Sequence, residues 1–150
     1  MITVLPITDP ADLDAAFLIR RRVFVEEQNV PAEEEYDEFE TTSLHFLARV
    51  DGLPAGTARW RRTSNGVKLE RFAVLNDFRG KGAGKALVQT VLDSVFSQLP
   101  EPVESIYMHA QVTAMPLYAG FGFVPTGPQF DECGIMHYKM VLPASAYPKQ

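Results

Sequence analysis

The sequence predicts an α/β fold of the mixed α+β kind, with a central, mostly antiparallel sheet of about seven strands flanked by helices. Three observations predict it. The tight-turn dipeptides Asp51-Gly52 and Asn65-Gly66 separate three β-type runs and so make a meander. Apolar residues then switch to helical spacing at Leu87, Val88, Val91, Leu92, Val95, Phe96 and Leu99. A further β-type run, residues 105–110, follows that helix, and a helix between two neighbouring strands makes them parallel.

The elements follow in order. Residues 2–7 read as a first strand that ends near Pro6 and Asp9. Asp9 and Asp12 start a helix whose apolar face is Ala15, Ala16, Ile19, Val23 and Phe24. Residues 26–40 are acidic, interrupted by Pro31, and read as a loop with a short helix near 33–39. The run from Glu33 to Glu40 reads as a solvated acidic loop, with attraction of a cationic acceptor as the alternative. Residues 44–50, 55–62 and 67–75 are the meander strands. The long helix stops before Pro100 and Pro102. Thr113 starts a short helix through Ala119 that Gly120 ends. Residues 121–125 and 135–142 read as the last two strands.

The chain has 150 residues, enough for one domain, 1–150, with a full core of its own. Its 46% hydrophobic and 22% charged residues are those of a globular protein. The net charge of −5 argues against nonspecific nucleic-acid binding, so an anionic ligand needs a local basic pocket. Cys133 is the single cysteine, which rules out an internal disulfide and fits a cytoplasmic location. The first residues carry neither a signal-peptide pattern nor a membrane span, and no membrane partner is expected. No metal is expected either.

The chemistry concentrates at Arg79-Gly80-Lys81-Gly82-Ala83-Gly84-Lys85, between a strand and the long helix. A helix start leaves its first amides unpaired and carries partial positive charge. Glycines let phosphate oxygens approach the backbone, and Arg79, Lys81 and Lys85 add charge, so the segment is an anion cradle. It is not a Walker A loop, because residue 79 is Arg where that loop needs Gly, and residue 86 is Ala where it needs Ser or Thr. Nor does it fit a dinucleotide fingerprint, because the preceding strand ends a meander.

Here the sequence resembles the GNAT superfamily of acyl-CoA N-acyltransferases. The family pattern V-x-P-x-x-R-G-x-G-x-G/A matches Val74-Leu75-Asn76-Asp77-Phe78-Arg79-Gly80-Lys81-Gly82-Ala83-Gly84, with Asn76 in place of proline. The family's later motif matches Leu117-Tyr118-Ala119-Gly120-Phe121-Gly122-Phe123. Two further stretches, Arg20-Arg21-Arg22-Val23-Phe24-Val25-Glu26-Glu27-Gln28 and Gly134-Ile135-Met136-His137, resemble a bacterial ElaA- and YjcF-like subgroup. The resemblance spans essentially the whole chain.

It implies a GNAT-type fold and transfer of an acetyl group from acetyl-CoA directly to a primary amine of a small-molecule or peptide acceptor. It also allows a homodimer. The turn from Arg79 to Lys85 would hold the coenzyme A pyrophosphate. The strand before it would splay at a bulge and offer Phe72, Ala73 and Val74, with the Val74 amide on the thioester oxygen. Gln111 would contact the pantetheine arm, and Phe24 and Glu27 would wall the acceptor site. Tyr118 would protonate the leaving thiolate. A thiol has a pKa of about 8.5 and a phenol about 10, so that transfer costs ~2 kcal/mol.

For the base, strand periodicity puts Glu70 on one face with Phe72 and Val74, where burial would raise its pKa; the alternative is that it pairs with Arg71 or Lys68 or faces solvent. His137, on the last strand, is the competing base near the acceptor side. His45 and His109 read as ordinary strand residues. Cys133 has no adjacent base and does not read as a nucleophile. The alternative function is a non-catalytic acyl-CoA-binding module.

Overall fold

The computed structural model describes residues 1–99 and 105–148. Among them seven strands form one sheet: β1 (Ile2–Pro6), β2 (Leu44–Val50), β3 (Leu53–Thr63), β4 (Gly66–Val74), β5 (Ile106–Gln111), β6 (Val124–Glu132) and β7 (Ile135–Leu142). Their order is β1-β2-β3-β4-β5-β7-β6, and only β4 and β5 run parallel. The helices are α1 (Pro10–Arg20), which continues as a π-helical turn over Arg21–Glu27, then α2 (Ala32–Glu35), α3 (Ala83–Gln98) and α4 (Met115–Ala119).

Local chemistry explains the elements that frame the site. The side chain of Asp9 caps α1 by accepting from the Asp12 amide at 2.8 Å, and Pro10 opens the helix without wasting a donor. Past Arg20 the helix widens, with the Gln28 amide bonded to the Val23 carbonyl at 3.0 Å. Val23 and Phe24, neighbours in sequence, both stay against the sheet. Gly66 has φ +131, and a Cβ there would meet the Ser105 carbonyl oxygen at 2.2 Å. Only glycine lets β4 begin this close to β5, where the Val67 amide donates to that same oxygen at 2.8 Å.

The two faces of the sheet are covered differently. Leu87, Val88, Val91, Leu92 and Val95 of α3 pack with Phe46, Trp60, Leu69 and Met108 on one face. Each such buried side chain contributes roughly 2 kcal/mol through the water it sheds. On the other face Ile19, Val23 and Phe24 pack with Leu47 and Ala73.

Two sequence expectations change. The strand expected at 121–125 is instead Val124–Glu132; residues 121–123 form the turn after α4, with Phe121 and Phe123 amides bonded to the Tyr118 carbonyl. β6 is a mostly exposed edge strand with a register shift between Thr126 and Phe130, so its Pro125, Gly127 and Pro128 disguise it as a loop. The short acidic helix is only Ala32–Glu35. Pro100 and Pro102, expected to stop the long helix, lie outside the described residues, and α3 ends at Gln98. No helix among the described residues is long and apolar enough to cross a membrane.

Candidate active site

The site begins where β4 and β5 part. They pair only from Val67–Leu69 to Ile106–Met108; beyond that β4 follows β3 and β5 follows β7. The cause is a bulge in β4. Arg71 takes φ +59, and the register against β3 shifts between Thr57 and Arg59. A left-handed arginine costs on the order of 1–3 kcal/mol, which the surrounding contacts must offset. After the bulge Leu75 donates to the Ala55 carbonyl at 2.8 Å, and Val74 stands opposite Gly56. Antiparallel pairs alternate between bonded and non-bonded, so the Val74 N–H and C=O point away from β3 into the gap.

The bulge also reverses the face expected for Glu70. Phe72 and Val74 pack on the α3 side with Val67 and Leu69, while Ala73 turns toward α1. Glu70 does not share their face, because the left-handed residue between them breaks the period of two. It lies instead opposite Arg59, in a buried ion network. Its carboxylate meets Arg59 at 3.1 Å, Arg61 at 2.6 Å and Lys68 at 3.3 Å. Burial pushes the Glu70 carboxyl up, but the Arg59 charge, the Arg61 hydrogen bond and Lys68 outweigh it and hold the group below the usual carboxylate range. An ion-paired carboxylate of that kind is a poor base, so the structure has the alternative reading, pairing with Lys68, joined by Arg59 and Arg61.

The network also corrects the reading of the acidic segment. Arg59 bonds Asp37 at 2.6 Å and Glu40 at 2.7 Å; Arg20 bonds Glu35 and Glu40, each at 2.7 Å; Arg71 reaches Asp37 at 3.2 Å. Arg20, Arg59 and Glu35 are 1%, 0% and 2% exposed. Glu35, Asp37 and Glu40 are therefore the countercharge of Arg20, Arg59 and Arg71, because a buried guanidinium needs carboxylate partners, while Glu33, Glu34 and Glu38 stay exposed as a solvated loop would have them.

At the other end of the gap, Gly80 and Gly82 have positive φ and α3 starts at Ala83. The Ala86 amide is the first to bond within this turn, to the Gly82 carbonyl at 3.0 Å, which leaves the amides of Ala83, Gly84 and Lys85 without helical partners. Lys81 and Lys85 are exposed beside them. Arg79 is engaged differently. Its Nη atoms bond the Glu27 carboxylate at 2.6 and 2.8 Å, and its Nε donates to the Val74 carbonyl at 3.0 Å. Glu27, expected on the acceptor wall, is thus placed at the glycine turn, because the π-helical end of α1 carries it there.

Beside β4 and β5 lies a cleft of about 390 Å³ whose lining includes Phe24, Phe72, Gln111, Tyr118 and His137. Tyr118 comes from α4 and is buried, with Phe72 edge-on at 5.6 Å; burial pushes its phenol well above the ordinary range, so it stays protonated at neutral pH. Gln111 exchanges amide hydrogen bonds with Gln28 at 2.8 and 3.3 Å, bridging the end of β5 to the end of the π-helical turn. Cys133, at the β6–β7 turn, donates to Glu34 at 2.7 Å. That hydrogen bond, with burial, pushes its thiol up to about 11, which suits no nucleophile. Sequence reasoning missed Glu132 and set His109 aside, yet both line this cleft. Glu132 was hidden because β6 read as ending at Pro125. The pairing of Phe130 with His137 and of Glu132 with Ile135 puts it there.

A sheet that parts beside a glycine turn at a helix start, with a buried tyrosine facing the gap, defines an acyl-CoA N-acyltransferase architecture. The chain belongs to the GNAT acetyltransferase family: the model of the acetyltransferase (GNAT) domain matches residues 9–144. The uncharacterized N-acetyltransferase YjcF of Bacillus subtilis (strain 168) is 39% identical over 134 residues, 86% of this chain and 91% of that protein. The crystal structure of Escherichia coli ElaA superposes with a TM-score of 0.80 at 24% identity, covering 95% of this chain and all of that one (100%). A GNAT family acetyltransferase from Elizabethkingia anophelis with acetyl-CoA bound has a TM-score of 0.64 at 19% identity, covering 93% and 94%.

Proposed function

We propose that this acyltransferase is an acetyl-CoA-dependent N-acetyltransferase that transfers acetyl directly to a primary amine in a ternary complex. The observation that carries the reading is the gap between β4 and β5, with the Val74 backbone turned into it and Tyr118 lining the cleft beside Phe72. The acetyl-CoA seen in the Elizabethkingia family member supports the choice of donor. In this reading the free amides of Ala83, Gly84 and Lys85, with Lys81 and Lys85, receive the pyrophosphate. The pantetheine arm takes the place of β5 beside β4, near Gln111. The Val74 amide faces the thioester oxygen as it gains charge. The amine nitrogen attacks the thioester carbon, the C–S bond breaks, and Tyr118 protonates the leaving thiolate.

A non-catalytic acyl-CoA-binding module would use the same glycine turn but has no need of a protonated tyrosine in the cleft. The test is a screen of amines, polyamines, amino acids, aminoglycosides and peptide N-termini, reading thiol release from acetyl-CoA and the mass of the product. Release with an acetylated amine and intersecting initial-velocity lines is the expected result. Absence of acetylated product with every acceptor class contradicts the reading.

A further inference from the structure

Direct transfer needs a group that removes a proton from the acceptor ammonium, and Glu70 is committed to Arg59, Arg61 and Lys68. A different group faces the same cleft. Glu132, at the end of β6, stands between two imidazoles. His109 Nδ1 is 3.5 Å from its Oε1, and His137 Nε2 is 3.6 Å from its Oε2. Both separations are longer than a good N–H···O bond.

The ring orientations can be assigned. His137 Nδ1 lies 2.7 Å from the Ile135 carbonyl oxygen. A carbonyl only accepts, so Nδ1 carries the proton and neutral His137 presents a lone pair at Nε2. In the neutral ring that lone pair and the Glu132 carboxylate are two acceptors facing one another, an arrangement relieved by a proton on Nε2 or by a donor with more than one N–H. His109 Nδ1 is a buried polar atom with no hydrogen-bond partner among the described residues, and it lies 3.5 Å from the same carboxylate. Phe130 stacks on His137 at 5.8 Å and meets His109 edge-on at 5.1 Å, fixing both rings. Among the described residues no three His, Cys, Asp or Glu side chains are grouped to hold a metal ion. An alkylammonium group supplies three N–H donors and the charge that complements Glu132.

We propose that Glu132, flanked by His109 and His137, seats the ammonium group of the acceptor, and that His137 Nε2 takes its proton. This rests on the N-acetyltransferase reading and assigns its acceptor end. The balance is complete. One ammonium proton passes to His137, the freed nitrogen pair forms the C–N bond, the C–S bond breaks, and the thiolate takes the Tyr118 proton. The second proton shed by nitrogen restores Tyr118, and the His137 proton leaves to solvent. The charged and titratable groups around the cluster are Lys68, Glu70 and Arg71 from β4, Glu34, Glu35, Tyr118 and Cys133 in the cleft lining, and Tyr107 and Lys139 beside His109.

The experiment uses histidine-labelled protein saturated with coenzyme A and titrated with n-propylammonium chloride, observing the imidazole nitrogens by NMR. His109 and His137 resonances should move in the wild type and stay still in Glu132→Gln, which should also raise the KM for propylamine on the order of tenfold or more. His137→Asn, which retains a donor for the Ile135 carbonyl, should lower kcat on the order of a hundredfold at neutral pH. Its activity should recover above the pKa of the amine, where the acceptor arrives uncharged. Imidazoles that do not respond in the wild type, or a His137→Asn pH profile like that of the wild type, overturn the assignment. Acetyl-CoA binding is measured on the same samples: if it is intact while the imidazoles are silent, only the acceptor seat falls, and if it is absent, the N-acetyltransferase reading falls as well.

Discussion

Arg79 and Glu27 form a two-bonded ion pair, 2.6 and 2.8 Å, across the head of the glycine turn, while Arg79 Nε holds the Val74 carbonyl. The pair occupies the arginine that the family pattern assigns to coenzyme A and the carbonyl that faces the gap. It is partly exposed, with side chains 39% and 43% accessible, so it holds by no more than about 1 kcal/mol. Glu27→Gln should free the Arg79 Nη atoms and tighten acetyl-CoA by up to about fivefold. Titration calorimetry at low salt measures this. Weaker binding in the variant would show that the pair shapes the cradle.

Tyr118→Phe removes one hydroxyl from a buried ring and keeps the contact with Phe72. It should lower kcat on the order of a hundredfold while the acetyl-CoA dissociation constant stays within a factor of about two. Unchanged turnover would remove Tyr118 from the reaction.

Glu70→Gln distinguishes the ion-paired role from the base role. The variant loses the countercharge of Arg59, Arg61 and Lys68, so its melting temperature should fall. The acidic limb of kcat/KM against pH should remain. A variant that folds normally but loses that limb would restore Glu70 as the base.

The fold was legible wherever one local signal decided an element. The two turn dipeptides marked the meander, and the apolar spacing from Leu87 marked α3. Glycine spacing placed the anion cradle. What escaped depended on contacts between distant segments. Arg71 has nothing in its own side chain that announces a left-handed bulge, so the face of Glu70 was misjudged. The acidic run looks solvated until Arg20 and Arg59 are seen beneath it. β6 carries two prolines and a glycine on an exposed edge, where neither periodicity nor burial leaves a pattern, and Glu132 was hidden with it.

Acid should unfold the protein through the same network. Burial opposes ionisation of Asp37, but the Arg59 hydrogen bonds, the Phe39 amide and the Arg59 and Arg71 charges lower its pKa from 3.8 to about 2. A carboxyl with a depressed folded pKa stabilises fully above its unfolded value and loses that contribution as pH falls through the folded one. Asp37 therefore contributes above about pH 4 and its share disappears by about pH 2. Asp37→Asn should be less stable at neutral pH and should flatten stability against pH in that window. Chemical denaturation at a series of pH values reads it out.

Gly66→Ala tests how β4 is set against β5. The new methyl group would meet the Ser105 carbonyl oxygen at 2.2 Å with φ at +131. A loss of about 2 kcal/mol or more is expected from overpacking and backbone strain. Wild-type stability would show that this end of the gap is soft.

In the proposed reading the parted strands and the glycine turn together hold acetyl-CoA. Calorimetric titration of the intact protein with acetyl-CoA tests it most directly, combined with amide exchange on the same complex. The account predicts one molecule bound per chain, with exchange slowed at Val74 and at Ala83, Gly84 and Lys85. No heat of binding, or binding that leaves those amides unprotected, would contradict it.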